Sequence, residues 1–480
     1  MTQRLQDYIR GRSCSLLGLG VSNLPLARML CDGGYSLSIY DKKPLSELHE
    51  EAKTLEAAGA ELFCEHDFLT PPKGELIFRS PGIRPDHPSI RSALERGAEL
   101  TSEIELFLNL TDAETFAVTG SDGKTTSTTL THLFLSEHAK RLGRGKVLLG
   151  GNIGAPLLDR LGEVSYGDRA VMELSSFQLM RVGRSPHHAA ITNLSPNHLD
   201  WHTDMQEYID AKRRIVGENT QRFVTNADNA VTAAIAEDMI AADGIRPPLI
   251  LFSSTKASYR EIYPKGSAMG DAAIYLKDGL ICFDNGSCAV PLLDTARIRV
   301  PGRHNIENFM TAIGLTFGLV SPTVYETVAD SFTGVAHRLE SVRTLDGVEF
   351  FNSSIDSSPS RTCAALSALA GRDTVAICGG YDKKIPFEPL ATGLCRSVRA
   401  VVLTGATADK IEEAILSSPD YKEGHPAIHK APAFEDAVRL AASLGKVGGC
   451  VLLSPACASF DAFKNFMERG ERFRELVMSL

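Results

Sequence analysis

Short apolar runs alternate with stretches of helical periodicity along nearly the whole chain, and this alternation limits the folds open to it more than any other feature. Runs such as residues 13–20 and 75–82 have the length of buried strands and end in turn residues. The segment NLPLARMLCDGG, between two such runs, has the spacing of a helix. Alternating strands and helices build parallel sheets with helices on their faces. The sequence therefore predicts an α/β fold made of parallel units.

The length of the chain indicates how many such units to expect. At 480 residues the chain is too long for one compact core, and domains of about 150 residues each would give two to four. Polar segments near residues 109–113 and 332–338 are the candidate boundaries. We therefore predict three α/β domains, which span residues 1–110, 111–334 and 335–480.

Composition and charge exclude several classes of function. The net charge of −9 argues against broad binding to nucleic acids or anionic membranes, which needs a basic surface. The ten cysteines form no C-x-x-C pair and no cluster at zinc spacing, which indicates reduced thiols. The charged start lacks the pattern of a secretory signal, and no apolar run approaches the roughly 18 residues of a membrane helix. We expect a soluble cytoplasmic protein without nucleic-acid or membrane partners.

The stretch FAVTGSDGKTTSTTLTHLF, residues 116–134, has the layout of a phosphate-binding loop. An apolar strand leads into a Gly-rich turn, then a lysine and hydroxyl residues, and then a helical run, which together present backbone N–H groups to a polyphosphate. Lys124 would neutralise the β- and γ-phosphates, and Thr125 would direct its hydroxyl at Mg²⁺. The loop is shorter than the common P-loop, which would need glycine where Val118 stands. The predicted ATP-binding residues here are Gly120, Ser121, Asp122, Gly123, Lys124, Thr125 and Thr126.

Candidate metal ligands follow two other predicted strands. In VMELSSFQL an apolar strand ends at Glu173, whose carboxylate could hold a divalent cation, although a solvated or ion-paired glutamate fits the pattern equally. In ITNLSPNHLDWHTDMQEYIDAKRRI a strand is predicted to end at Asn193, and His198 follows in a loop. His198 is a candidate metal or phosphate partner, or an ordinary surface histidine. Lys212, on the next helix, would have to lose its proton to serve a metal, since an ammonium has no lone pair to donate.

The N-terminal LLGLGVSNLPLARML carries a broken dinucleotide fingerprint. Gly18 and Gly20 are in place, but Asn23 stands where the third glycine would be. Asp41 ends the next strand, where a ribose-binding acid would lie. The pattern favours a diphosphate-bearing nucleotide and argues against an ordinary NAD site, although an NAD-dependent oxidoreductase stays open as an alternative.

Other segments carry polar groups suited to nucleotides or carboxylates. His304, Asn305 and Asn308 share one face of a predicted helix and could hold an adenine or a ribose. Arg338 and Lys383 are candidate cations for a phosphate or a carboxylate. Each of these residues, taken singly, also fits an ordinary structural or solvated role.

These motifs, in their order along the chain, resemble those of the Mur ligases, a family of ATP-dependent enzymes that form peptide bonds. The resemblance rests on TGSDGKTT, GGNIG, ELSSFQL, TNLSPNHLD with AKRRI, PGRHNIEN, AHRLE, GGYDKK and SPACASFDAFKNF. The short phosphate loop is the form that this family uses. The resemblance implies a Rossmann-like N-terminal domain that binds a UDP-sugar, a central P-loop ATPase-like domain that binds ATP, and a C-terminal Rossmann-like domain that binds an amino acid.

The resemblance also implies a reaction in the synthesis of a peptidoglycan precursor. ATP would phosphorylate the terminal carboxylate of UDP-N-acetylmuramoyl-L-alanine, and the amine of D-glutamate would attack the acyl phosphate through a tetrahedral intermediate. Phosphorylation supplies a good leaving group, because direct attack on a carboxylate would have to expel oxide. Catalysis then lies mainly in positioning and in neutralising crowded anions. The partners would be these three small molecules, and the enzyme would be a monomer.

The family motifs, carried over onto this sequence, assign a role to each candidate. The catalytic group would be Lys124, Glu173, His198 and Lys212. Thr125 and Glu173 would hold one Mg²⁺, while His198 and Lys212 would serve a second metal region. Carbamylation of Lys212 would turn an unsuitable cation into an oxygen ligand. The remaining predicted contacts are Gly18, Gly20, Val21, Ser22, Asp41 and Asn152 for the UDP-sugar, Asn308, Arg338 and the segment near Asn352 for ATP, and Lys383, Ser459 and Phe466 for D-glutamate.

Two departures from the family pattern leave rival functions open. Where the family often reads N-D-S-K-A-T-N, this chain has Ser353 and Ile355 in place of the acid and the lysine, with Asp356 and Arg361 nearby as substitutes. Asn197 stands before His198, where an acid is common. The rivals are a catalytically silent nucleotide-sugar-binding paralogue and a sister ligase for another amino acid, such as a folate polyglutamate synthase.

Overall fold

The computed structural model describes residues 2–20, 22–48, 51–65, 70–199, 201–242, 245–383 and 385–480. Within these ranges the strands form three largely parallel sheets, so the predicted α/β fold is confirmed. The chain divides into two compact units, Met1–Arg297 with Arg303–Asp330, and Ile298–Gly302 with Ser331–Leu480. The first unit contains two of the sheets. The domain boundaries at residues 110 and 334 stay predictions.

The N-terminal sheet is parallel and Rossmann-like. Its strands are β1 (Cys14–Leu17), β2 (Leu37–Tyr40), β3 (Glu61–Phe63), β4 (Leu76–Arg79) and β5 (Glu99–Thr101). Its helices are α1 (Gln3–Ile9), α2 (Asn23–Asp32), α3 (Glu51–Ala57), α4 (Pro88–Glu95) and α5 (Glu103–Leu110). The strand order is β3-β2-β1-β4-β5, so the carboxyl ends of β1 and β4 meet where the winding direction reverses. Open sheets of this kind bind their ligands at that point.

The central sheet extends a parallel core with an antiparallel edge. Its strands are β6 (Glu114–Thr119), β7 (Val147–Gly151), β8 (Arg169–Glu173), β9 (His188–Ile191), β10 (Arg222–Asn226), β11 (Leu249–Ser253), β12 (Ala272–Lys277), β13 (Leu280–Asp284) and β14 (Ala289–Asp294). The order is β14-β13-β12-β11-β10-β9-β6-β8-β7, and β13 pairs antiparallel with β12 and β14. Strand β6 therefore lies between β8 and β9, which brings the ends of these three strands together.

Helices cover this sheet and begin or end at several motif residues. They are α6 (Lys124–Leu142), α7 (Ser176–Leu179), α8 (Met205–Arg213), α9 (Ala230–Ala241), α10 (Tyr259–Ile262), α11 (Arg303–Thr316) and α12 (Pro322–Ser331). The predicted helix after the phosphate loop is thus confirmed as α6. The prediction for β9 was wrong at its end: the strand stops at Ile191, because Thr192 and Asn193 turn to contact the phosphate loop.

The C-terminal sheet is parallel except at one edge. Its strands are β15 (Glu340–Leu345), β16 (Val348–Asn352), β17 (Thr374–Gly379), β18 (Ala400–Thr404), β19 (Ala427–Lys430) and β20 (Cys450–Leu453). Its helices are α13 (Pro359–Ala368), α14 (Glu388–Ser397), α15 (Ala408–Leu416), α16 (Phe434–Leu444) and α17 (Phe466–Ser479). The order is β15-β16-β20-β17-β18-β19, and only the pair β15–β16 is antiparallel among the described strands of this sheet.

Alternate residues of the central strands enter separate cores on the two faces of this sheet. Along β17, Val375 and Ile377 pack in one apolar cluster, while Ala376 and Cys378 pack in the other. Strands covered by helices on both faces need apolar residues at every position, which explains their continuous apolar runs. Among the residues that the structure describes, no helix has both the length and the apolar character that crossing a membrane requires.

Candidate active site

The loop after β6 has the backbone form that its glycines predict. Gly120 (φ 147°) and Gly123 (φ 75°) lie in the region of positive φ that favours glycine. A Cβ on Gly120 would overlap Thr192 Oγ1, and one on Gly123 would overlap Asn308 Oδ1. Helix α6 begins at Lys124, directly after Gly123, so the N–H groups of its first turn, which have no acceptor within the helix, lie at the loop. Both the backbone conformation and the close neighbours thus require glycine at these positions.

The segment after β9 holds the phosphate loop in place. The N–H of Ser121 donates to Asn193 O (2.8 Å), and the N–H of Asp122 donates to Asn193 Oδ1 (3.0 Å). Thr192 Oγ1 donates in turn to Asp122 O at 2.5 Å. The hydroxyls of Ser121 and Tyr208, the latter on α8, are 2.8 Å apart. The loop is therefore held by backbone and side-chain contacts with the segment after β9 and by Tyr208 of α8.

The lysine and threonines of the loop lie at the start of α6. Lys124 is half-buried, and its Nζ donates to Ser121 O at 2.9 Å, so its charge is held over the loop. Thr125 and Thr126 are buried. A cation and helix N–H groups around one turn make a site suited to phosphate.

Helix α11, from a distant part of the chain, also contacts the loop. Ser127 Oγ on α6 donates to Asn308 Oδ1 at 3.2 Å, and Asn308 Nδ2 donates to Asn305 Oδ1 at 3.2 Å. Gly123 provides the space that Asn308 occupies. Two of the predicted adenine or ribose candidates therefore lie beside the loop, while His304 is exposed at the start of the same helix.

Glu173 ends β8 beside the loop, opposite Val118 of β6. Its side chain is buried, and its Oε1 accepts a hydrogen bond from Asn152 Nδ2 at 2.7 Å. Its Oε2 is buried without a hydrogen-bond partner among the described residues. A buried, unpaired carboxylate oxygen is costly, and a cation compensates for it. The family motif predicts that Asn152 contacts the UDP-sugar. In the structure the side-chain amide of Asn152 donates to the Glu173 carboxylate.

The donor set near Glu173 suits Mg²⁺ better than a metal that needs several protein ligands. Over the described part of the chain, no group of three or more His, Cys, Asp or Glu side chains is arranged to hold a metal. Mg²⁺ is usually bound through one or two carboxylates, with substrate phosphates and water as the other ligands. Glu173 and the hydroxyl of Thr125 fit that chemistry.

Lys212 of α8 is the most deeply buried lysine of the region, with 2% of its surface exposed. Its Nζ donates to Gly120 O (2.8 Å) and Thr119 Oγ1 (3.1 Å) and lies 4.8 Å from the centre of the Tyr208 ring. Burial, assisted by repulsion from Lys124, lowers the pKa of Lys212 well below its ordinary value. Burial therefore favours the neutral amine of Lys212, while the charges of Glu173 and Asp122 act in the opposite direction.

Two histidines follow β9, and they have different surroundings. His198 is exposed, has a positive φ of 55°, and meets the Phe177 ring edge-on with 5.0 Å between ring centres. His202 is buried, with Nε2 at 2.9 Å from Ser176 Oγ and Nδ1 at 3.1 Å from Glu207 Oε2. Burial lowers the pKa of His202, while Glu207 acts in the opposite direction. The family motif indicates His198 as the metal candidate, and that side chain is exposed. His202, in contrast, is buried and held by Ser176 and Glu207.

At the N-terminal sheet, Asn23 replaces the third glycine with a structural contact. Gly18 has a φ of 82°, and a Cβ there would lie 2.8 Å from Ser80 Oγ, at the end of β4. Asn23 Nδ2 donates to Gly18 O (2.8 Å) and to Ser80 Oγ (3.1 Å). The side chain of Asn23 thus joins the ends of β1 and β4, which a glycine at this position could not do. Gly20 is exposed in the loop that connects β1 to α2.

Asp41 supports the same loop from the end of β2. Its Oδ2 accepts the N–H of Leu19 (2.7 Å), and its Oδ1 accepts the N–H of Lys43 (3.0 Å). Ser22 is half-buried directly before α2. Val21, also predicted to contact the UDP-sugar, lies outside the described residues. Asp41 therefore orders the loop in which the predicted UDP-sugar contacts lie.

In the second compact unit, two arginines act electrostatically on the buried Asp356, at the carboxyl edge of the sheet. Ser454 Oγ donates to Asp356 Oδ2 at 2.9 Å. Burial raises the pKa of Asp356, while hydrogen bonds from Ser353 and Ser454 and the charges of Arg338 and Arg361 act in the opposite direction. Arg338 and Arg361 thus interact electrostatically with Asp356, the acid that stands near the altered family motif.

Lys383 lies at the same edge. Its Nζ donates to Ser357 Oγ at 3.1 Å, and partial burial together with the charge of Arg361 lowers the pKa of Lys383. Asn352, at the end of β16, is fully buried, and its Nδ2 contacts His337 Nδ1 (3.1 Å). The side chain of Asn352 is therefore engaged inside the unit.

Helix α17 begins at Phe466, and Ser459 lies seven residues before it; a buried arginine of this helix organises the backbone there. Ser459 is buried, and Phe466 is half-buried with its carbonyl accepting from Ser354 Oγ at 2.8 Å. Arg469 donates to Ala458 O (3.1 Å), Cys457 O (3.1 Å) and Ser354 O (2.9 Å). The sequence pattern did not indicate Arg469, since a lone arginine in a helical pattern is normally solvated.

A loop of this form serves polyphosphates, and the unpaired Glu173 oxygen and the deeply buried Lys212 beside it suit metal-assisted phosphoryl transfer. The fold and the site thus define an ATP-using α/β enzyme. Residues 118–316 match the Mur ligase middle domain, and residues 337–457 match the domain described as "Mur ligase, glutamate ligase domain".

Relatives of full length support the same family. The chain is 40% identical to the UDP-N-acetylmuramoylalanine–D-glutamate ligase of Ruminiclostridium cellulolyticum and 39% identical to that of Acetivibrio thermocellus, over 100% of each chain. The crystal structure of the UDP-N-acetylmuramate-alanine ligase from Thermotoga maritima has the same fold, with a TM-score of 0.55 at 18% identity over 98% of this chain and 99% of that one. The chain belongs to the Mur ligase family, and the resemblance seen in the motifs is confirmed. It is an ATP-dependent amide ligase, in a family that generally uses Mg²⁺.

Proposed function

We propose that this protein joins D-glutamate to UDP-N-acetylmuramoyl-L-alanine, with conversion of ATP to ADP and phosphate, in the synthesis of a peptidoglycan precursor. The names of two full-length relatives, at 40% and 39% identity, support this choice of substrates. Within the molecule, the observation that carries the proposal is the phosphate loop with Lys124 at its end and the unpaired oxygen of Glu173 beside it.

In the first step an oxygen of the alanine carboxylate attacks the γ-phosphorus of ATP. A new O–P bond forms, the bond to the β-phosphate oxygen breaks, and its electron pair leaves with ADP. Lys124 and the first-turn N–H groups of α6 stabilise the negative charge that the transfer spreads over the phosphate oxygens. Positioning by the rigid loop is the other contribution, because the reacting groups are both anions that repel each other.

Glu173 and Thr125 would hold Mg²⁺ at the loop. The support for this assignment is the buried Oε2 of Glu173, which lacks a partner over the described residues. The bound ion would neutralise charge on the phosphates. We assign His198 to a second metal region on the strength of the family motif alone. The further ATP contacts proposed are Asn308 and Arg338.

We propose that Lys212 acts as a carbamate. Its lowered pKa supports this, since only a neutral amine attacks carbon dioxide. The attack forms an N–C bond, one amine proton leaves to water, and the product carries a carboxylate in place of an ammonium. A carboxylate at the end of this side chain suits a metal region, whereas a buried ammonium beside Lys124 would repel it.

In the second step the neutral amine of D-glutamate attacks the carbonyl carbon of the acyl phosphate. The tetrahedral intermediate collapses, the C–O bond to phosphate breaks, and the nitrogen loses a proton to leave the amide. D-Glutamate carries two carboxylates, so cations must face them; Lys383 is our candidate, with Ser459 and Phe466 beside it. The proposed contacts of the UDP-sugar are Gly18, Gly20, Val21, Ser22, Asp41 and Asn152.

Purified protein with ATP, Mg²⁺ and UDP-N-acetylmuramoyl-L-alanine tests the proposal when it is offered a panel of amino acids. We expect one phosphate and one UDP-dipeptide, identified by mass, for each ATP consumed, and only with D-glutamate. A product with another amino acid would indicate a sister ligase, and nucleotide-sugar binding without phosphate release a silent paralogue. We also propose that the protein is a monomer and acts in the cytoplasm. Light scattering tests the oligomeric state.

A further inference from the structure

Arg84, in the loop that follows β4, forms a paired contact with Glu207 on α8. Its Nη2 donates to Glu207 Oε1 (2.7 Å), and its Nη1 donates to Glu207 Oε2 (3.1 Å). The side chains are only 25% and 22% exposed, respectively. Two parallel hydrogen bonds between a guanidinium and a carboxylate fix their mutual orientation as well as their distance. The pair therefore holds two segments more than 100 residues apart in one geometry.

The remaining donors of Arg84 reinforce the same connection. Nη1 also donates to Trp201 O (2.8 Å), and the guanidinium lies 5.0 Å from the centre of the Trp201 ring. Trp201 Nε1 donates back to Gly82 O at 3.2 Å. Asp86 accepts from Arg84 at 2.9 Å and 3.0 Å, which keeps the guanidinium in place within its own loop. The loop after β4 and Trp201 thus each donate a hydrogen bond to the other, in addition to the ion pair of Arg84 with Glu207.

From Glu207 the contacts continue towards the metal candidate. Glu207 Oε2 lies 3.1 Å from His202 Nδ1, and His202 Nε2 lies 2.9 Å from Ser176 Oγ, at the start of α7. Strand β8, which ends at Glu173, leads directly into this helix. Phe177 O accepts from Arg79 Nη2 at 2.9 Å, so a second arginine of the β4 end joins the same segment.

Helix α8 carries the connection to the phosphate loop, and β4 carries it to the nucleotide-sugar loop. On α8, Tyr208 directly follows Glu207 and its hydroxyl contacts that of Ser121, while Lys212, five residues after Glu207, donates to Gly120 O. At the other end, Ser80 lies against Gly18 and Asn23. Arg84 and Glu207 therefore stand between the two loops that the reaction has to bring together.

We propose that Arg84 and Glu207 are positioning residues that hold the nucleotide-sugar loop at a set distance from the phosphate loop, so that the acceptor carboxylate meets the γ-phosphate. The inference rests on the proposed function. A displacement of about 1 Å between reacting groups lowers a rate by roughly 100-fold even when each ligand still binds. Loss of the pair should therefore act on kcat and leave the binding of each substrate almost unchanged.

Kinetics of Arg84→Gln and Glu207→Gln separate this role from simple binding. Both substitutions remove the charge pair and keep a polar side chain of moderate size. We expect kcat to fall 10- to 100-fold in each, with KM for ATP and for UDP-N-acetylmuramoyl-L-alanine within threefold of the parent. Arg91→Gln is the matched control, because Arg91 pairs only distantly with Asp86 (3.9 Å) and its side chain is 65% exposed; its kinetics should match the parent.

The double variant supplies the decisive comparison. If the two side chains act as one contact, Arg84→Gln with Glu207→Gln loses no more activity than the worse single variant. Additive losses, a kcat within twofold of the parent, or a rise in KM at constant kcat would each overturn the inference. Should Arg84→Gln fail to fold, as judged by circular dichroism, the kcat and KM of Glu207→Gln decide alone.

Fluorescence provides a readout that does not depend on ligation. Trp201 is the only tryptophan of the chain, so its emission reports on this contact directly. We expect UDP-N-acetylmuramoyl-L-alanine to shift that emission in the parent and in Arg91→Gln. In Arg84→Gln the shift should be lost, while calorimetry still detects binding. If the parent protein shows the emission shift but no ligase activity, the proposed reaction is wrong and the positioning role of Arg84 stands. If Arg84→Gln shows the same emission shift as the parent, the positioning role is wrong.

Discussion

Asn152 donates a 2.7 Å hydrogen bond to one carboxylate oxygen of Glu173 and leaves the other oxygen, buried, without a partner among the described residues. Asn152 belongs to the loop after β7, and Glu173 ends the neighbouring β8. The amide therefore orients the carboxylate so that its second oxygen is available. A buried carboxylate oxygen without a partner is destabilising, and a bound cation would offset that cost.

Glu173→Gln should separate the stability of the empty site from its activity. Without divalent metal, we expect the variant to be at least as stable as the parent, because a neutral amide is less costly to bury without a partner than a carboxylate oxygen. Its ligase rate should fall by about 100-fold or more, and the Mg²⁺ concentration for half-maximal rate should rise. Thermal unfolding with and without Mg²⁺, and a Mg²⁺ titration of phosphate release, measure the two effects.

The control for that experiment is Asn152→Ala, which removes the orienting amide and keeps the charge. We expect it to be less stable than the parent without metal, since both carboxylate oxygens then lack a donor. A Glu173→Gln variant that unfolds more readily than the parent, and that shows the parent's Mg²⁺ dependence, would refute the assignment of Glu173 to the metal.

Lys212→Arg should be inactive although it keeps a positive charge. A guanidinium is not deprotonated in proteins, so it cannot form the carbamate that we propose. We expect a loss of at least about 100-fold in kcat. For the parent protein, removal of dissolved carbon dioxide should lower the rate, and bicarbonate should restore it. Carbon-13 NMR with labelled bicarbonate should show a carbamate signal that Lys212→Arg lacks; an active arginine variant would contradict the carbamate.

Gly123→Ala should disrupt the phosphate loop by contact as well as by conformation. An alanine there would adopt φ near 75° and would overlap Asn308 Oδ1. Gly318→Ala is the matched control, because Gly318 has φ 79° with nothing within 4 Å of the added Cβ. We expect the control to lose about 1 kcal/mol of stability and to keep ATP binding. Gly123→Ala should lose ATP binding measured by calorimetry; equal affinity in both variants would show that the contact with Asn308 is unimportant.

Local patterns in the sequence were sufficient for the phosphate loop and for the strands and helices around it. Gly120, Gly123 and Lys124 lie within one turn of each other, so their spacing alone predicts the backbone geometry. Long apolar runs likewise predicted the parallel strands, because a strand with helices on both faces has no polar side. The antiparallel edge of β12 to β14 was not foreseen, because strand direction follows from the connections, and short turns instead of helices join these three strands.

Contacts between distant segments could not be predicted, because they depend on the order of strands in the sheet. Only the position of β6 between β8 and β9 brings Asn193 beneath the phosphate loop. The same dependence hid the pair of Arg84 and Glu207. Asn23 was read from the sequence only as a departure from the dinucleotide fingerprint. In the structure its side-chain amide joins the ends of β1 and β4.

Glu103, at the start of α5, should make the protein less stable as the pH rises towards neutrality. Its Oε1 accepts the N–H groups of Leu157 and Leu158, at 2.8 Å each, and burial raises the pKa of Glu103 from 4.5 to about 7. Between these two values the folded protein binds more protons than the unfolded chain. Stability is therefore full below the unfolded pKa and is lost as the pH rises through the folded pKa, by about 3 kcal/mol in total.

Urea unfolding of Glu103→Gln at intervals from pH 5 to pH 8 tests this dependence. The amide oxygen of glutamine can still accept both N–H groups, but it does not titrate. We expect the variant to lose a large part of the parent's pH slope and to be the more stable protein at pH 8. Glu105, whose pKa burial also raises to about 7, keeps part of the slope in both proteins. Glu61→Gln, at an exposed position, should retain the full parental slope, and the same slope in Glu103→Gln would show that Glu103 titrates normally in the folded state.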